Sequence, residues 1–284
     1  MILGINTVII YVALFIKEDF LSFNFIKKKV FNTHKLTGFT LAEVLITLGI
    51  VGVVAALTIP MLMTKFEQEK TVNALKKSYA TLGHLVKRIE YEYGSVEGMN
   101  GTSETWWQRD KQKIVKGSIA PLLPGGQVID SPNGSSTMCF IEGSTRLHTS
   151  HDNKEVQYIR PNGGTWTLNG NDRMMAVLLQ DGSCIGFDVT TRFSDVISMS
   201  VYVDINGPAQ PNVVGRDFFE FIVTRNGDVY PLGYNETRET VNRGCHNAAS
   251  TTGSGSFCAS KIMRDGWKIQ KDYPWKLNLR NGKL

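Results

Sequence analysis

The sequence predicts an α+β protein: a long N-terminal α-helix, apolar in its first half and amphipathic in its second, packed on a C-terminal antiparallel β-sheet domain. Three observations predict it. Residues 38–60, GFTLAEVLITLGIVGVVAALTIP, form an apolar run long enough to cross a membrane. Residues 61–93 hold no proline and place Val72, Leu75, Tyr79, Leu82, Val86 and Ile89 three or four apart, the spacing of one helix face. From Gly126 onward, short apolar runs are split by glycine, asparagine and aspartate, as strands joined by tight turns are.

The apolar run carries a carboxylate near its start, Glu43. On insertion scales an ionisable group at a helix centre costs about 2.5–3.5 kcal/mol, so a carboxylate kept there reads as functional. Gly38 stands directly before Phe39, with His34 and Lys35 just upstream, and Glu43 lies four residues past Phe39. With Thr40-Leu41 and the apolar run that follows, this register resembles the processing and assembly signal of type IV pilins and type II secretion pseudopilins. The resemblance implies a pilin-like fold, cleavage between Gly38 and Phe39 by prepilin peptidase, N-methylation of Phe39, and retention of Glu43 for assembly. Pro60 also matches the family pattern.

The chemistry of that register stands without the family. Once Phe39 is freed, the chain begins with an amine, and Glu43 sits about one helical turn away. A buried charge needs a partner. The amine can meet its own Glu43, or, in a stack of subunits, the Glu43 of a neighbour. The second arrangement neutralises two charges and sets axial register, the best-attested use of buried polar pairs. Heterologous contacts that do not close on themselves give helical filaments. A plain membrane anchor with a stray glutamate explains neither the glycine nor the basic residue before it.

Four segments follow: a leader, 1–38; the membrane and assembly half of the helix, 39–60; its amphipathic half, 61–94; and a globular α+β domain, 95–284. The 284-residue chain has a formal charge of +5. Lys17, Lys27, Lys28, Lys29 and Lys35 against Glu18 and Asp19 put +3 of that in the leader. The +2 left in the mature part gives no support to nucleic-acid binding. Basic residues before the apolar run hold the leader in the cytoplasm and export the rest. The leader opens on an apolar run, MILGINTVIIYVALFI, short of a typical span. It is either an upstream membrane segment or a sign that translation begins later, at Val30, and the later start is the expectation.

The amphipathic half extends the helix to Tyr93, where Gly94 is placed to cap it. From Phe39 such a helix runs about 80 Å. Pro60 removes a backbone hydrogen bond and is expected to kink or loosen it, while Gly49 and Gly52 suit close helix approach as well as they suit incidental composition. A short helix is expected next, N-capped by Ser103, covering the core with Trp106, Trp107, Ile114 and Val115, and stopped by Pro121 and Pro124.

Strands are expected in TMCFI, MMAVLLQDGSCIGFDV, VISMSVYVDING and FFEFIVTRNGDVYPLG. Hairpins fall at Asp181-Gly182 and Asn226-Gly227-Asp228. The four cysteines, Cys139, Cys184, Cys245 and Cys258, all follow the apolar run, and an even number in an exported domain predicts disulfides. Three pairings are open. Cys245 with Cys258 is favoured because the pair brackets a glycine- and serine-rich loop, which leaves Cys139 with Cys184 across two strands. Metal binding is disfavoured, since no CxxC occurs.

Asp204, Asn206 and Asp217 lie on the connection VDINGPAQPNVVGRDFFEF. Major pseudopilins of type II secretion bind calcium in a comparable C-terminal loop, so these three are the calcium candidates, although the segment does not match that loop residue by residue. The competing reading, placed first, has Asp204 and Asn206 capping their own backbone. Trp267, Tyr273 and Trp275 in the tail are expected to pin it to the domain, with an exposed interaction patch second. No GxSxG, HExxH, Walker loop or Rossmann glycine pattern occurs, and the histidines are scattered, so no catalysis is expected.

The resulting expectation is a subunit of a type II secretion-like pseudopilus. Its partners are prepilin peptidase, other copies and minor pseudopilins or pilins, and the inner-membrane assembly platform. It is held in the bacterial inner membrane with its N-terminus cytoplasmic before joining a periplasmic or surface filament. The alternatives are a type IV pilus subunit, major or minor or for DNA uptake, and a membrane-anchored binding domain that never polymerises.

Overall fold

A computed structural model describes residues 39–96, 114–129, 158–166, 175–188, 197–207, 209, 211–248 and 253–276. The chain divides into two compact units, Met1–Ile59 and Pro60–Leu284. One helix, α1 (Leu41–Tyr93), supplies residues to both, and Pro60 lies inside it without ending it. Gly94 ends it in the left-handed region (φ +79°), with its N–H on the Glu90 carbonyl.

In the first unit, the described helix is bare. Leu41, Leu45, Ile46, Leu48, Val53 and Leu57 are all exposed, and nothing lies within 4 Å of a Cβ added at Gly49 or Gly52. Among the described residues, nothing packs on these apolar side chains or on the two glycines.

In the second unit, α1 turns Val72, Leu75, Leu82, Leu85, Val86 and Ile89 inward, as the periodicity predicts. They meet one face of a six-stranded antiparallel sheet. Its strands are β1 (Gln127–Ile129), β4 (Met175–Leu178), β5 (Cys184–Asp188), β6 (Ile197–Asp204), β7 (Phe218–Thr224) and β8 (Val229–Pro231), hydrogen-bonded in that order. From β4 to β8 the sheet is a meander of consecutive hairpins, with turns at Asp181-Gly182 and Asn226-Gly227-Asp228. Strand alternation sends Ile185, Phe187, Val201, Val203, Phe219, Phe221 and Val223 to the α1 side.

The opposite face is covered as well. A ribbon of two short strands, β2 (Tyr158–Ile159) and β3 (Thr165–Trp166), joins Val214 in burying Ala176, Cys184 and Phe218. Sheet residues facing away from α1 are thus interior, which explains why FFEFIVT is buried on both sides.

The short helix after α1 is a π turn, Val115–Ile119, running into a 3-10 turn, Ala120–Leu122. Pro121 does not stop it: Pro121 lies in the first positions of the 3-10 turn, where a missing N–H costs nothing, and extended Leu123 ends it. Ile114 and Val115 are buried as expected, while Ser103, Trp106, Trp107 and TMCFI lie outside the described residues.

Two further helices close the domain, α2 (Arg238–Gly244), N-capped by Thr237, and α3 (Cys258–Arg264). A disulfide, Cys245–Cys258, joins the end of α2 to the start of α3. Cross-linking a loop of this size is worth about 3 kcal/mol in the chain-entropy model. Gly215 (φ +83°) passes so close that a Cβ there would sit 2.7 Å from Cys258 Sγ. Cys184 is also disulfide-bonded, and Cys139 lies outside the described residues.

Candidate functional site

The start of α1 is built by Thr40 and Glu43. Thr40 is its N-cap: the Thr40 N–H and hydroxyl both donate to Glu43 Oε2, at 2.8 and 3.0 Å, and the Glu43 N–H donates back to Thr40 Oγ1 at 3.2 Å. This is a capping box, Thr-x-x-Glu, in which two otherwise unsatisfied donors of the first turn are paired reciprocally. The sequence TLAE carries the signature. Phe39 just before the cap is 81% exposed. Gly38 lies outside the described residues. Pro60, deeper in α1, accepts a 3.0 Å bond from the Thr64 hydroxyl on its carbonyl. Among the described residues, α1 is the helix long and apolar enough to cross a membrane.

The three calcium candidates occupy a different place. Alternation along β6 sends Asp204 to the face away from α1, where it is wholly buried. Its Oδ2 accepts the Tyr158 hydroxyl at 2.5 Å, and its Oδ1 accepts the Asn206 N–H at 3.1 Å. Asp217 closes the other end of the loop, accepting the N–H groups of Asn212 and Val213 at 2.6 and 2.5 Å. The Asn206 amide donates to the Ala209 carbonyl at 2.7 Å. Burial pushes the Asp204 carboxyl up to about 8, a rise only partly offset by the Tyr158 hydrogen bond. Burial likewise raises Asp217 to about 6, against the pull of its two backbone donors. The Tyr158 hydroxyl is driven well above the usual tyrosine range by burial and by Asp204.

That arrangement does not fit calcium. The ion takes 6 to 8 oxygen ligands from ionised carboxylates, carbonyls and water. Here all four carboxylate oxygens already accept protein donors. Among the described residues no group of three or more His, Cys, Asp or Glu is placed to hold a metal. Asp204, Asn206 and Asp217 instead brace the loop, as the backbone-capping reading has it. Adding EDTA to the folded chain is expected to leave its Tm unchanged; a Tm that drops on chelation and returns with calcium would contradict this.

Sequence reasoning missed the partners of this cluster. Trp166 donates its indole N–H to Glu220 at 3.1 Å, and Arg160 donates to the Ser254 carbonyl and the Ser256 hydroxyl at 2.9 and 3.1 Å. Burial raises the Glu220 carboxyl too. Nothing in the spacing of Tyr158, Arg160 and Trp166 announces that they lie over β6 and β7. It also missed Lys261, 3% exposed on α3, whose ammonium donates to Asn242, Asp265 and Asp272.

The tail is pinned. Buried Tyr273 donates its hydroxyl to the Gly215 carbonyl, and the Trp275 ring lies 4.6 Å from the Arg216 guanidinium. Trp267 packs against Tyr79 of α1, 5.9 Å between ring centres.

Residues 156–277 match the model of a family of unknown function, DUF6613. The match covers less than half of the chain, running from just before β2 to just past Trp275, and does not reach α1. No curated protein and no solved structure matches the chain.

Proposed function

We propose that this chain is a pilin-like subunit of a type II secretion-like pseudopilus. Prepilin peptidase cleaves it after Gly38, Phe39 is N-methylated, and the subunit waits in the inner membrane until the assembly platform adds it to a filament of like and minor subunits. Its role is structural and not catalytic. The observation that carries this reading is the contrast within α1: the second half is the spine of a folded domain, while the first is apolar, uncovered and marked near its start by Glu43.

An apolar surface on this scale has to be covered by lipid or by other helices. In the filament it is covered by the same helix of neighbouring subunits, for which Gly49 and Gly52 leave room. Glu43 then exchanges its local bonds to Thr40 for the amine of the next Phe39. A type IV pilus subunit would share every one of these features, and neighbouring genes separate the two, since a retraction ATPase belongs to the pilus.

The test is substitution of Glu43. A filament subunit carrying Glu43→Ala is processed and fails to assemble; a membrane-anchored binding domain that never polymerises is indifferent to the change. Normal function in that variant would overturn the assembly reading.

A further inference from the structure

We propose that one end of the second unit is built to rest on an anionic phospholipid surface, with the indole of Trp275 at headgroup level. The inference rests on the membrane-stored subunit proposed above, and every contact it uses lies within the second unit.

That end begins with bare apolar helix. Met61, Leu62, Met63 and Phe66 are exposed, Met61 by 64%. Directly after Phe66 comes Glu67, where the surface changes character. Glu67 Oε2 receives Arg216 at 2.8 Å, and the Arg216 backbone carbonyl accepts the Thr71 hydroxyl one turn further on. The same guanidinium lies over the Trp275 ring at 4.6 Å, and Lys276 is held through its carbonyl by the Asn247 amide at 3.1 Å. The last part of the tail is thereby fastened to the helix at Glu67, directly after exposed Phe66.

The chemistry gathered there is that of a membrane interface. Trp275 is half-buried, Lys65, Lys70 and Lys276 are exposed, and Glu67 is paired with Arg216, leaving those three lysines against Glu69. Amphipathic indoles concentrate at headgroup level, and lysines beside a membrane are attracted to anionic lipid. A neighbouring subunit would need a complementary acidic apolar patch, and an anionic bilayer supplies both properties at once. Trp267 provides an internal control. It packs at Tyr79 and under Lys76, at 5.9 and 5.7 Å, well along α1 from Phe66 and so clear of the lipid.

The experiment uses the unassembled full chain in vesicles of phosphatidylcholine and phosphatidylglycerol, with lipids brominated near the headgroup to quench tryptophan emission. In a Trp106→Phe/Trp107→Phe background, Trp275→Phe is expected to lose at least half of the quenched component, and Trp267→Phe to keep it. In the double variant Lys65→Glu/Lys276→Glu, both changes fall on exposed side chains that the fold does not need. It should lose the added quenching that phosphatidylglycerol gives over phosphatidylcholine alone. Quenching unchanged in Trp275→Phe, or lost equally in both tryptophan variants, would overturn the inference, as would a double variant that still responds to phosphatidylglycerol. Because the subunit is tested unassembled, failure to polymerise does not affect the readout. A chain that never enters the vesicles marks failure of the membrane reading itself.

Discussion

Glu43→Ala is expected to yield a subunit that is cleaved, inserted and folded but absent from filaments. The carboxylate has two roles, and they carry different energies. In the isolated chain it completes the capping box with Thr40, and losing a cap costs about 0.5–2 kcal/mol at the helix end. In the proposed filament it would neutralise a neighbour's amine, and removing one partner of a buried pair costs about 3–5 kcal/mol. At about 1.4 kcal/mol per factor of ten, that is about two to three and a half orders of magnitude for each subunit added. Glutamine separates the roles, because at this position of a capping box it serves as glutamate does. Glu43→Gln should therefore keep the helix start and still fail to assemble, whereas Thr40→Ala should loosen the helix start and assemble weakly. Filament yield in cells, with processing followed by gel mobility, reads both. Wild-type filaments from Glu43→Gln would show that charge is not what the carboxylate supplies.

The second large effect is on stability against pH. Asp204 and Asp217 have folded-state values of about 8 and about 6, against 3.8 for an ordinary aspartate. At these two carboxyls the folded chain holds more protons than the unfolded one between about pH 4 and pH 8, and their contribution to stability falls as pH rises across that window. Asp181 and Asp272 are shifted downward by their lysine partners and hydrogen bonds. Their contribution is present above the ordinary aspartate range and is lost only in stronger acid, so it does not oppose the trend near neutrality. At about 1.4 kcal/mol per unit, the Asp204 shift alone amounts to several kcal/mol. Thermal unfolding of the full chain in detergent should give a Tm that declines steadily from pH 5 to pH 8.5. Asp204→Asn, which stays neutral and can still bond Tyr158 and the Asn206 N–H, should flatten the upper part of the decline. A Tm that rises over the same range would contradict the placement of these carboxyls.

What could be read from the sequence was local and periodic. The inward face of α1, its end at Gly94, and the hairpins at Asp181-Gly182 and Asn226-Gly227-Asp228 each have a physical signature a few residues long. The disulfide Cys245–Cys258 followed from the loop it closes. The covered second face of the sheet was not legible, because the two-residue strands of β2 and β3 leave no alternation to detect. Helices α2 and α3 are two turns each, too short for periodicity to declare, and the glycine- and serine-rich segment between them reads as loop from either side. Asp204 and Asp217 enter as calcium candidates, behind the backbone-capping reading, because with Asn206 they bring three oxygen side chains to a turn-rich connection. Asp204 is buried against Tyr158, some fifty residues earlier in the chain, and no spacing encodes it.

The central claim is that this chain matures at Phe39 and polymerises through the exposed apolar half of α1. The most direct measurement is the intact mass and N-terminal fragmentation of the membrane-bound and filament forms from cells with prepilin peptidase and from cells without it. The account predicts a chain beginning at N-methylated Phe39 when the peptidase is present, and an uncleaved chain retaining Gly38 when it is absent. The same uncleaved N-terminus in both cells would contradict it.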